Sequence, residues 1–109
     1  MIPLTALELN NKEIFDLSRE KLDHIFLLRT EKELHEIALY ETKSPNQKLI
    51  LTFPKQDFSY SCVFRPNKEN SIALEPLTGN TDCFNTEEGL RILMPRELFK
   101  TSIFCKFKL

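Results

Sequence analysis

Residues 48–64 read "KLILTFPKQDFSYSCVF", and their spacing decides the fold. In the first part Leu49, Leu51 and Phe53 share a parity; in the second, Phe58, Tyr60, Cys62 and Phe64 do. A strand sends alternate side chains to opposite faces, so each run predicts a strand with its large residues on one side. Pro54, between them, ends the first run.

Working outward, "SIALE" (71–75), "LRILM" (90–94) and "SIFCKFK" (102–108) are equally short and rich in residues that favour strands. "LHEIALY" (34–40) tolerates a helix, but its alternation and its strand-like neighbours favour a strand. "DLSREKLDHIF" (16–26) is compatible with a short helical turn capped by Asp16 or Ser18. Pro45, Pro54, Pro66, Pro76 and Pro95 separate the runs. Five to seven strands cut by frequent turns predict an all-β fold, an antiparallel β-sandwich.

Bulk properties narrow the partners. A chain of 109 residues suits a single domain, and 41% hydrophobic with 28% charged residues is a globular composition. The net charge is −1 and no Lys/Arg stripe is present, which argues against nucleic acid as a partner. No positively charged leader precedes an apolar run, and no run approaches a membrane span, so a cytoplasmic protein without membrane association is expected. Cys62, Cys83 and Cys105 are odd in number and widely spaced, with no CxxC. They are expected as free thiols filling the core, and no metal site is expected. Nine phenylalanines are more aromatic surface than so small a core readily hides, which predicts self-association or a companion chain.

Glu75 is the candidate with chemistry. As a strand residue it points with Ala73, opposite Ile72 and Leu74, and the small Ala73 leaves room beside it. Pro76 is expected to end the ladder, and "LTGNTDCFN" (77–85) to form a turn-rich loop beyond it. A carboxylate held under such a loop can serve as a general base; a solvated strand-end glutamate is the plainer alternative. Asp23 and His24 are adjacent and would face opposite ways on a strand. His35, in "EKELHE", is expected to be exposed. Asp82, Glu87 and Glu88 lack the pattern of a calcium loop.

The stretch "ALEPLTGNTDCFNTEEGLRILMP" (73–95) resembles the C-terminal signature of the aldose 1-epimerase, or galactose mutarotase-like, family. The matching residues are Glu75, Pro76, Thr78, Asp82, Asn85, Gly89, Leu90, Leu93 and Pro95. "TSIFCKFKL" (101–109) resembles the family's last strand. Upstream, "IPLTALELNNKEIFDLS" (2–18), "LDHIFLL" (22–28) and "DFSYSCVFRP" (57–66) resemble earlier segments in the right order. The resemblance implies a β-sandwich that interconverts the anomers of a hexose or hexose phosphate without a cofactor. By position it makes Glu75 the general base and Asp23 the ligand of sugar hydroxyls. The family's histidine acid and its sugar-binding arginine match nothing here; His24 matches a neighbour of the sugar-binding aspartate. A fragment, one half of a split enzyme and a short relative without catalysis are the three readings, and in each the isolated chain is expected to have little activity.

Overall fold

A computed structural model describes residues 5–17, 22–65 and 71–108. Among these residues eight strands fall into two antiparallel sheets: β1 (Ala6–Leu9), β2 (Glu13–Asp16), β3 (Asp23–Leu27), β4 (Leu34–Tyr40), β5 (Lys48–Pro54), β6 (Tyr60–Phe64), β7 (Ala73–Leu77) and β8 (Phe104–Lys108). A single helical turn, α1 (Cys83–Thr86), interrupts them. The larger sheet runs β2-β1-β4-β5-β8 and the smaller β3-β6-β7. No helix among the described residues is long and apolar enough to cross a membrane.

Local chemistry fixes the larger sheet. Asn10 and Asn11 both take positive φ, 51° and 58°, and Lys12 N–H closes onto Leu9 C=O at 3.0 Å. That is the primed turn that matches strand twist, and asparagine is among the few side chains that tolerate it. β4 and β5 pair along their whole length, from Leu34 opposite Pro54 to Tyr40 opposite Lys48. Leu49, Leu51 and Phe53 therefore share a face with Ile37, Leu39, Leu7 and Leu9.

This face and one face of the smaller sheet contribute to one core. Leu7, Leu9, Ile37, Leu39 and Phe53 cluster with Val63, and Phe26 and Leu74 pack against the cluster. Phe53 is fully buried, with the Phe58 ring edge-on at 5.5 Å. Burial of such a side chain is worth about 1.5–3 kcal/mol. On the opposite face of the larger sheet, Ala6, Ala38 and Tyr40 form a second small cluster, with Lys48 4.7 Å above the Tyr40 ring. Burial, and then the neighbouring Glu8 carboxylate, push the Tyr40 hydroxyl pKa up.

Several expectations are corrected. Tyr60, Cys62 and Phe64 do share a face, but it is the outward one; the small Ser61 and Val63, both fully buried, face the core. Phe58 is buried ahead of the strand, reached through a turn onto Pro54 C=O. Residues 90–94 form no strand: Ile92, Leu93 and Met94 are exposed, with no neighbouring strand to complete a ladder. Pro76 does not end β7, which continues to Leu77 opposite Tyr60. β7 is an edge strand, where a missing N–H is tolerated. Asp16 lies in β2 and residues 23–26 lie in β3, so neither takes part in the expected helical turn, while Ser18 lies outside the described residues. The cysteines are free thiols, but none is a core filler: Cys62 and Cys83 are half-buried and Cys105 is exposed.

Candidate functional site

The outward face of the smaller sheet is a three-by-three grid set by register. One row holds Asp23, Phe64 and Ala73, the next Ile25, Cys62 and Glu75, the last Leu27, Tyr60 and Leu77. Glu75 and Asp23, far apart in sequence, are thus on the same face of the same sheet, on the two strands flanking β6. Both are exposed.

Cys62 lies between them. Glu75 stands directly opposite it on β7, close enough to act on the thiol. Burial pushes the thiol pKa up, the Glu75 carboxylate adds to this, and the Asp23 charge contributes last. Two anions bracketing one thiol keep it protonated and make the middle of the face rich in hydrogen-bond acceptors.

One end of the face is capped by the loop after β7. Gly89, at φ +72°, lies against Gly79 and Tyr60: a Cβ there would come 3.0 Å from Gly79 Cα and 3.2 Å from Tyr60 Cε2. The loop is held by its own polar side chains. Asn80 Nδ2 donates to Glu88 at 2.7 Å, and Asn85 Nδ2 donates to Asp82 at 2.6 Å across α1. Asp82 and Asn85, two of the signature residues, therefore have a conformational role. The loop packs against Tyr60, leaves Leu27 of that row exposed and leaves the Glu75 row open, so Glu75 sits mid-strand on an exposed face.

Behind the loop is a polar cleft of about 310 Å³ lined by Gln56, Asp57, Ser59, Thr78, Leu90 and Arg91. Arg91 lies 3.8 Å from Asp57 and stacks 4.1 Å from the Phe99 ring, while the Thr101 hydroxyl donates to Asp57 at 2.6 Å. Neither Glu75 nor Asp23 lines this cleft, nor a second one of about 270 Å³ beside the β1–β2 turn.

The histidines are elsewhere. His24 projects opposite Asp23 and Ile25, and its Nδ1 accepts from the Asp23 N–H at 3.2 Å. His35, expected to be exposed, is 2% exposed. It points into the core beside Phe53, 5.6 Å between rings. Asn10 Nδ2 can only donate, so Nδ1 of His35 accepts from it, at 3.2 Å. Burial drives the His35 pKa down.

No family model, curated protein or solved structure matches the chain. Asn10, Asp57 and Arg91 carry the polar structure that sequence reading missed. The Asn-Asn turn was the only sequence signal for any of them, because the Asp57–Arg91 approach depends on a long-range loop path.

Proposed function

We propose that this chain is a carbohydrate-handling β-sandwich of the aldose 1-epimerase type, in which Glu75 is the proton acceptor and Asp23 binds hydroxyls of a hexose or hexose phosphate. One observation carries the reading: the two residues singled out from sequence share one open sheet face, with Cys62 between them feeling both charges. The core common to both sheets is consistent with a sandwich. Carboxylates on the two outer strands, one row apart, offer acceptors to well-separated hydroxyls of a sugar, and a glutamate carboxylate suits removal of the anomeric proton.

Ring opening also requires a proton delivered to the ring oxygen. His24 faces away from Glu75 and His35 is buried in the core, so neither supplies it. The chain then contributes the base side of an acid/base pair, and turnover requires a donor from another polypeptide or segment. The exposure of Glu75 favours a second reading, a module that binds sugar without turning it over.

Magnetisation-transfer NMR on galactose and glucose separates the two. With the isolated chain, exchange between anomers is expected to stay at the buffer rate. Enzyme-like exchange that survives Glu75→Gln would remove Glu75 from the base role. If every β-rich extract tested as a source of the donor leaves exchange unchanged while sugar still binds, the second reading replaces the first.

A further inference from the structure

The chain exposes more surface than a protein of its size should. Its accessible area is 8058 Å² for 12.8 kDa. A compact monomer of that mass exposes about 6,300 Å². The excess, on the order of 1,800 Å², is about twice what one partner contributes to a standard interface. The radius of gyration, 15.2 Å, also exceeds the roughly 13 Å of a compact chain of this length. Large apolar side chains near the C-terminus are exposed: Ile92, Met94 and Leu98 are 73%, 62% and 81% exposed, and Phe104 and Phe107 on β8 are 56% and 59% exposed.

β8 ends the larger sheet and pairs, among the described residues, with β5 alone. Its outward N–H and C=O groups form a template for another strand. Register defines what that strand must carry. Cys105 and Phe107 continue the face of Leu51 and Leu49. Phe104, Lys106 and Lys108 lie on the other face, opposite Thr52, Ile50 and Lys48. Lys48 has Glu8 at 3.9 Å, whereas Lys106 and Lys108 have no anionic partner among the described residues. One face of the edge is apolar, and the other carries two lysines beyond Phe104.

We propose that β8 accepts a strand from a different polypeptide, one that alternates carboxylates on the Lys106/Lys108 side with apolar residues on the Cys105/Phe107 side. A second copy fits poorly. Antiparallel pairing of β8 with itself about Lys106 or Phe107 sets lysine against lysine, which is destabilising. β2 of a second copy places Asp16 on the lysine side but Glu13 on the opposite face, supplying one carboxylate where the edge presents two uncompensated lysines. Lysines on the edge thus block self-pairing and select an acidic strand.

Two blocked eight-residue peptides test this on the full chain, one alternating Glu and Val, the other Lys and Val. At low salt the Glu peptide is expected to bind about tenfold tighter, through two favourable cross-strand pairs replacing two repulsive ones. It should also slow amide exchange within Phe104–Lys108, and Lys106→Glu/Lys108→Glu should reverse the preference. Equal affinities, or binding that leaves the β8 amides unprotected, would overturn the proposal. So would light scattering that shows a dimer or polymer without peptide, dispersed by the same double substitution. The comparison on the unsubstituted chain stands even if that variant does not fold.

Discussion

Cys62 and Glu75 stand directly opposite each other on β6 and β7, and the carboxylate helps to push the thiol pKa up. Thiolate, not thiol, reacts with electrophiles, so a thiol whose pKa is pushed up by burial and an adjacent anion reacts slowly. Cys62 is therefore expected to alkylate with iodoacetamide well behind the exposed Cys105. Glu75→Gln removes the charge and should speed Cys62 alkylation several-fold between pH 7 and 9, read by peptide mass spectrometry. An unchanged rate would mean that the pair does not interact in solution.

His35 makes stability depend on acid. Its folded-state pKa is lowered by burial from the usual 6.5, so the unfolded chain takes up a proton first as pH falls. The contribution is fully present above pH 6.5 and is lost as pH drops toward the folded-state value. Urea midpoints from pH 8 to pH 5 should decline below 6.5 and flatten in part in His35→Gln. A midpoint that rises on acidification would contradict a buried neutral imidazole.

Asn10 serves three partners at once: it donates to Arg29 C=O at 3.0 Å and to His35, and accepts from Glu36 N–H at 2.8 Å. Asn10→Ala strands these groups and loses a residue suited to positive φ. A cost of about 2–3 kcal/mol in urea unfolding is expected.

Gly89 combines positive φ with contacts that leave no room for a Cβ. Gly89→Ala should cost about 2 kcal/mol, seen as a melting temperature about 10 °C lower. Because Gly89 abuts Tyr60, the amide shifts of Tyr60 and its neighbours should move as well.

Much of this architecture was legible in the sequence, for reasons that particular residues make plain. The parity of Leu49, Leu51 and Phe53 gave the right face because large apolar residues in a half-buried strand have one energetically acceptable side. The same reasoning placed Glu75 opposite Leu74. It failed on Tyr60, Cys62 and Phe64, where the core takes Ser61 and Val63 and the larger residues face outward. Size alone does not identify the buried side when a strand carries apolar residues on both. His35 was misjudged because its sequence neighbours are charged, whereas alternation turns it away from them and toward Phe53. The pairing of Asp23 with Glu75 on one face was implicit in their parities but required the β3-β6-β7 order, which no local pattern contains.

Amide chemical-shift mapping with galactose, glucose and their 6-phosphates tests most directly whether the Glu75/Asp23 face meets sugar hydroxyls. Shifts are expected to concentrate at Asp23, Cys62 and Glu75, and to vanish in Glu75→Gln/Asp23→Asn while the core resonances stay in place. Saturating sugar that leaves these amides unmoved, or moves only those around Asp57 and Arg91, would contradict the proposed sugar face.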